Sequence, residues 1–297
     1  MSKKVLLIGQ SGQVSTYIQK ELVNDDDFEL IVAGRDQIDL SIPQNVLPAL
    51  KTINADIIIN PAAYTAVDLA EQEQQLAYAI NRDSVVEIAA FSEQSNTPLI
   101  HFSTDYVFSG DAKSPYLEDH EASPSGVYGA SKLGGEQAIL KSGAPAIILR
   151  TAWVYSNHGK NFYKTMLSLS ESRTELSVVC DQIGAPTYAG SIAEATVSLL
   201  RKIVSHGGLS KGQTGVYHFS CQGQTSWSDF AKAIFVENQI NSMTIHPIST
   251  EEYPTPAKRP SYSVLDGSKL QKTFDLTLPH WGTALAQCVA ETGRLER

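Results

Sequence analysis

The chain is poor in cysteine, in excess positive charge and in long hydrophobic runs, and each shortage excludes something. Its three cysteines, Cys180, Cys221 and Cys288, are odd in number and widely spaced. They suggest neither a disulfide framework nor a metal cluster, so a reducing cytoplasm is expected. The net charge of −9 argues against nucleic acid or an anionic membrane as partner. An anionic ligand would therefore be held by a few local cations. The first apolar run, Val5-Leu6-Leu7-Ile8, stops at Gly9 and is too short for a secretory signal. No later run is long enough to span a bilayer. What is present is ordinary: 42% hydrophobic and 19% charged residues in 297 describe a soluble globular chain with one large or two modest domains.

Val5–Ile8 is apolar throughout rather than alternating, as a buried parallel strand should be. It enters Gly9-Gln10-Ser11-Gly12-Gln13-Val14-Ser15 and then a helical pattern through Ile18 and Leu22. Glycines at a strand-to-helix turn let backbone amides approach a pyrophosphate, and the helix amino terminus adds positive potential. Ser15 stands where a third glycine usually allows close helix packing. A plain tight turn is the simpler alternative, but the first strand is where dinucleotide-binding turns occur. The second strand, Glu29–Ala33, ends at Gly34-Arg35-Asp36. An acid there favours a free ribose 2′-hydroxyl and an arginine a 2′-phosphate, so Arg35 favours NADPH while leaving NADH open. Asp39-Leu40 follows close enough to border the adenine.

Asp56–Asn60 reads as the next strand, ending in Pro61-Ala62-Ala63-Tyr64-Thr65, where small residues suit close approach of a cofactor. A long helix is expected from about Glu71 to Asn96. The run from Pro98 to Phe102 then ends in Ser103-Thr104-Asp105, placing hydroxyls at the carboxyl end of a strand, where open α/β sheets bind ligands. Residues 109–127, rich in glycine, proline and charge, read as a mobile rim. Strands alternating with helices at this rhythm predict a doubly wound, Rossmann-type parallel sheet. Residues 1–150 form its NAD(P)-binding domain. Residues 151–297 form a mainly substrate-binding α/β domain, with about 190–220 returning to the first sheet.

Tyr128-Gly129-Ala130-Ser131-Lys132 carries the chemistry. A phenol ionises near pH 10, but an ammonium four residues later on one helix face would favour the phenolate. Tyr128 is thus a candidate general acid, Lys132 its tuning group and Thr104 the holder of a substrate oxygen. A Tyr-x-x-x-Lys pair alone arises by chance about once in a chain of this kind. Its weight comes from Thr104 upstream and the Gly9–Gly12 turn. His101, just before the strand end, reads as a core histidine rather than a ligand.

Taken together, Gly9-x-x-Gly12, Ser103-Thr104-Asp105-Tyr106-Val107-Phe108 and Tyr128-Gly129-x-Ser131-Lys132-Leu133-x-Gly135-Glu136 resemble the extended short-chain dehydrogenase/reductases. Asn60–Asp68, Arg150–Tyr155, Asp181–Thr187 and Tyr253–Pro260 narrow the likeness to members acting on a 4-keto-6-deoxy sugar nucleotide. The resemblance spans nearly the whole chain. It implies hydride transfer from NADPH to C4 of dTDP-4-dehydro-L-rhamnose, giving dTDP-L-rhamnose. It further implies that Gly12, Gln13 and Val14 touch the pyrophosphate. Asp39, Leu40, Ala63, Tyr64, Thr65, Phe102, Tyr128 and Lys132 would line the rest of the cofactor site, beside Gly9, Arg35 and Ala62. Thr104, Asp105, Tyr128 and Trp153 would face the sugar. Arg259, among prolines, is the candidate for the nucleotide pyrophosphate, since a planar guanidinium pairs two oxygens.

Some members of this family dimerise through a magnesium ion held by carboxylates on the first helix and after the turn at Pro186-Thr187. Tyr17 and Tyr188-Ala189-Gly190-Ser191 stand there instead, so no such metal is expected, and a homodimer is one state left open. Two other readings share these motifs. A reductase or epimerase of another nucleotide sugar would use the same Tyr-Lys pair, because pocket contacts set base and stereochemistry. A non-catalytic NADP-binding regulatory subunit of a methyl-donor synthetase would have no need of Thr104, Tyr128 and Lys132.

Overall fold

A computed structural model describes residues 2–295, the side chains of 293–295 excepted. In chain order its strands are β1 (Lys3–Ile8), β2 (Phe28–Ala33), β3 (Ile57–Asn60), β4 (Leu99–Thr104), β5 (Ala146–Thr151), β6 (Val154–Tyr155), β7 (Glu175–Val179), β8 (Ile183–Gly184), β9 (Thr187–Tyr188), β10 (Gly215–His218), β11 (Thr225–Ser226) and β12 (Thr244–Ile248). The helices are α1 (Gln13–Leu22), α2 (Val46–Ile53), α3 (Val67–Ala70), α4 (Gln74–Tyr78), α5 (Ser84–Ser95), α6 (Val127–Ser142), α7 (Phe162–Ser170), α8 (Ala189–Ser205), α9 (Trp227–Glu237), α10 (Ser268–Phe274) and α11 (Trp281–Leu295).

The central sheet has the order β10-β5-β4-β3-β1-β2, all parallel. Successive side chains alternate between two helix-covered faces. Val5, Leu7, Ile57, Ile59 and Ile100 join Ile18 of α1 and Ile192 and Leu199 of α8 in one core. Leu6, Ile8, Ile58, Leu99 and Ile148 join Leu50 of α2, Ile88 of α5 and Ile139 of α6 in the other. Burial on both faces is why these strands are apolar without interruption. Strand order reverses between β1 and β3, so their carboxyl ends part and open the crevice in which such sheets take ligands.

The first core continues past the sheet through Tyr155, Tyr163, Phe230 and Leu285. There β7 pairs with β12 and β6 with β9 in parallel, and β8 pairs with β11 antiparallel. The chain then returns: α8 packs on α1 and β10 pairs with β5.

Two stretches differ from the sequence expectation. The helix expected over 71–96 begins at Gln74, because Glu73 leaves helical geometry, and runs to Ser95 through α4, a π-helical turn at Ala79–Asp83 and α5. Residues 109–127, read as a mobile rim, lack a regular helix or strand until α6 begins at Val127, yet they are pinned: the phenol oxygen of Tyr116 accepts the amides of Gly110, Asp111 and Ala112 at 3.0–3.2 Å.

Candidate active site

The site is assembled where β4 lies under α6. Strand alternation turns His101 and Ser103 of β4 to the face that α6 covers. The helix answers with Lys132 and Glu136, one turn apart. Lys132, 2% exposed, donates to the Phe102 carbonyl at 2.6 Å and meets His101 Nε2 at 3.4 Å. Ser103 donates to Glu136, which takes a bidentate ion pair from Arg150 at 2.9 and 2.6 Å. Gly129 lets α6 approach: a Cβ there would run into the Tyr106 carbonyl.

At the end of β4, Thr104 donates to the Asp105 carboxylate at 3.0 Å and hydrogen-bonds the Tyr128 phenol. Tyr128, half-buried, meets Tyr106 edge to face, ring centroids 5.5 Å apart. Burial raises the Tyr128 pKa, and the Thr104 hydrogen bond opposes this only in part. The lowering expected from Lys132 is therefore absent: its ammonium is turned to Phe102 and His101. Burial also pulls Lys132 down to about 8 and pushes Asp105 up to about 6. Asp105 Oδ2 is buried and makes no hydrogen bond of ordinary geometry among the described residues, with the Ser263 hydroxyl its neighbour.

Trp153 sits between β5 and β6 with φ of +47°, a left-handed conformation rare for a bulky residue. Its ring stacks on Trp227 at 3.5 Å, and Gly184 leaves the room it occupies. Arg259 is committed within the chain. It pairs with Asp68 at 2.5 Å and donates to the Tyr106 phenol at 3.3 Å. The extended segment carrying it is thereby tied over Tyr106, and Asp68 also accepts the Ala257 amide.

The crevice at the strand-order reversal fits a dinucleotide phosphate. Gly9 has φ of +100°, and a Cβ there would come within 3.1 Å of Ala62 Cβ and 3.5 Å of Ser15 Oγ. Gly12 caps α1 without a side-chain acceptor, and the first turn has no acid, so amides of Gln13 and Val14 can meet an anion. The serine in the third-glycine position is 2% exposed and fits this packing. Ala63 and Tyr64 are half-buried along the far wall and Thr65 is exposed beside them. Arg35 is exposed after β2 and has no ion pair among the described residues. Asp39 accepts the Ser41 hydroxyl and amide, which hold its pKa down. Leu40 and Phe102 present little side chain to the crevice. Leu40 lies in the core, 6% exposed, and the Phe102 ring, 5% exposed, packs against Phe219. Through Phe102 the site gains a carbonyl rather than a ring.

The family described as "RmlD substrate binding domain" matches residues 3–294. The chain belongs to the RmlD substrate-binding-domain family. Within this RmlD family, a dTDP-4-dehydrorhamnose reductase of Sinorhizobium fredii is 41% identical over 281 residues, 94% of each chain. One of Burkholderia thailandensis is 38% identical, covering 97% of this chain and 98% of its own. The crystal structure of dTDP-4-dehydrorhamnose reductase from Bacillus anthracis in complex with NADP superposes with a TM-score of 0.90 at 36% identity. It covers 98% of this chain and 100% of that one.

Two residues that tie the elements in and around this RmlD-type site stand outside the sequence motifs. Asn81, in the π-helical turn, accepts the Tyr64 amide at 2.8 Å and donates to the Tyr64 carbonyl and Ser131 Oγ. It ties the cofactor wall to the helix of Tyr128 and Lys132. The other is Glu291, discussed below. Among the described residues no group of three or more His, Cys, Asp or Glu side chains is placed to hold a metal ion.

Proposed function

We propose that the chain is an NADPH-dependent reductase of the C4 ketone of dTDP-4-dehydro-L-rhamnose, forming dTDP-L-rhamnose. The observation that carries this is the meeting of Thr104, Tyr128 and Lys132 at the end of β4, in a chain similar along its whole length to reductases of that name. When bound, the nicotinamide supplies the hydride. Gly9, Gly12, Gln13 and Val14 would hold the pyrophosphate, with Ala62, Ala63, Tyr64 and Thr65 along the crevice. Arg35, unpaired, would meet a 2′-phosphate.

Hydride addition to a ketone leaves an alkoxide that needs a proton. Tyr128, its pKa raised by burial, is a neutral phenol at physiological pH and so has that proton to give. Thr104 would hold the same oxygen by its hydroxyl. Lys132, one turn on, would compensate the phenolate left behind once its ammonium swings from the Phe102 carbonyl towards it. Asp105, with a buried oxygen, would accept a sugar hydroxyl, Trp153 would back the ring, and Arg259 would reach a nucleotide phosphate if Asp68 yields it. On this reading the segments after β5, apart from α8 and β10, form the substrate-binding part. A reducing cytoplasm suits the free Cys180, Cys221 and Cys288.

The test follows NADPH and NADH absorbance with purified protein and enzymatically prepared dTDP-4-dehydro-L-rhamnose, beside a Tyr128→Phe control. Oxidation lost in the variant, and faster with NADPH, is expected. Cofactor binding without turnover would turn the assignment to another sugar nucleotide or to a regulatory subunit.

A further inference from the structure

We infer that His101 is a positioning residue for Lys132. Its neutral imidazole carries the proton on Nδ1 and offers Nε2 as the acceptor that, with the Phe102 carbonyl, fixes the Lys132 ammonium one turn from Tyr128. The inference rests on the function proposed above.

Register puts the partners together. Asn60 of β3 is paired directly with His101 of β4, so both side chains leave the sheet on the face that α6 covers. Asn60 and His101 are fully buried, and the Asn60 amide lies 3.1 Å from Nδ1 while Lys132 Nζ lies 3.4 Å from Nε2. An ammonium has only donors, so Nε2 must present its lone pair and Nδ1 must carry the hydrogen. That hydrogen needs an acceptor. With Asn60 Nδ2 turned to the ring, its Oδ1 is buried without a partner; with the near-isosteric amide reversed, Oδ1 receives the Nδ1 hydrogen. One assignment of amide and tautomer thus answers both the ammonium and the orphaned oxygen, and turns the amide nitrogen into the slot that Oδ1 leaves.

No carboxylate pairs directly with Lys132, although Glu136 favours its charge through space. Glu136, the charged group nearest along its own helix, is taken by Arg150 and Ser103. From β4 the ammonium meets His101; Tyr128 lies on its own helix, with Asp105 and Tyr106 grouped around Tyr128; Asn60 of β3 is uncharged. Burial and the adjacent ammonium keep His101 well below its ordinary pKa, hence neutral. Because the chain of contacts ends at buried Asn60, His101 orients the ammonium rather than passing its proton to water.

A neutral acceptor favours the charged form of Lys132, so removing it lowers the pH above which that charge is lost. In His101→Phe, the alkaline limb of kcat should move down by about one to two pH units. His101→Gln, which restores an oxygen near Nε2, should recover most of the shift. A folded His101→Phe with an unmoved limb overturns the inference. Nitrogen-15 NMR of the wild-type protein with NADPH tests the same point without turnover or mutation. The expected ring is neutral and Nδ1-protonated from about pH 5.5 to about 9. A ring protonated on Nε2, or titrating near its ordinary pKa, overturns it even if the enzyme is fully active. Absent turnover with the expected tautomer would instead count against the proposed function.

Discussion

Asp105 and Tyr128 lie beside one another, yet burial pushes both pKa values up with opposite consequences. For the phenol, a raised pKa keeps the proton in place until an alkoxide demands it. Tyr128→Phe should therefore lower kcat by about 10²- to 10⁴-fold, with the NADPH Kd, measured by fluorescence titration, changing far less. For the carboxyl, pushed up to about 6, the raised pKa shortens the pH range in which it can accept a hydroxyl. The ionised Asp105 is the stronger acceptor and has no hydrogen to set against the sugar hydroxyl, so kcat/KM should fall as pH drops through about 6. Asp105→Asn should show a lower plateau without that limb. A limb that persists in the variant would remove Asp105 from sugar recognition.

Helix α6 carries Tyr128 and Lys132, and its seat is polar as well as apolar. Glu136 and Arg150, 1% and 5% exposed, form a buried pair that Ser103 completes. Breaking such a pair leaves one charge buried alone. Glu136→Gln should thus cost about 3–5 kcal/mol in urea unfolding, far more than an exposed pair such as Lys3–Asp56. Gly129→Ala forces the helix off the Tyr106 carbonyl. It should cost about 1–3 kcal/mol and lower kcat, since Tyr128 and Lys132 move with the helix.

Across the whole molecule, two sets of contacts join α1 to later elements of the chain. Gln13 Oε1 accepts the Ser156 hydroxyl and the Asn161 amide at 2.8 Å, linking the phosphate turn to the start of α7. At the other end of α1, Glu291 of α11 accepts from Tyr17, Tyr188, Asn157 and Lys20. These donors outweigh the cost of burial and hold its pKa down to about 2. A carboxyl whose folded pKa is depressed adds stability above its unfolded value, near about 4.3, and loses it as pH falls through the folded value. Glu291→Gln should therefore lower Tm at neutral pH, with the gap to wild type closing between about pH 5 and about 2. A constant gap across that range would show that the contacts matter but the charge does not.

The parallel sheet, the glycine turn after β1, the Thr104 and Tyr128–Lys132 segments and their order were legible in the sequence. Strand burial, turn chemistry and one helical turn of spacing are local properties that neighbouring residues determine. The chain alone could not say that Lys132 faces His101 and a carbonyl instead of lowering the Tyr128 pKa. That depends on which residue of β4 lies under which turn of α6. Nor could it say that Arg259 pairs with Asp68, that Leu40 and the Phe102 ring are core, or that Asn81 in a π-helical turn ties two walls of the crevice. These contacts join residues from 17 to 191 positions apart. Tyr17 and Tyr188 were noted in the sequence for the carboxylates they replace, but their shared partner Glu291 lies on the last helix. Burial and long-range register set these contacts and the pKa values that follow from them, and only the folded chain decides both.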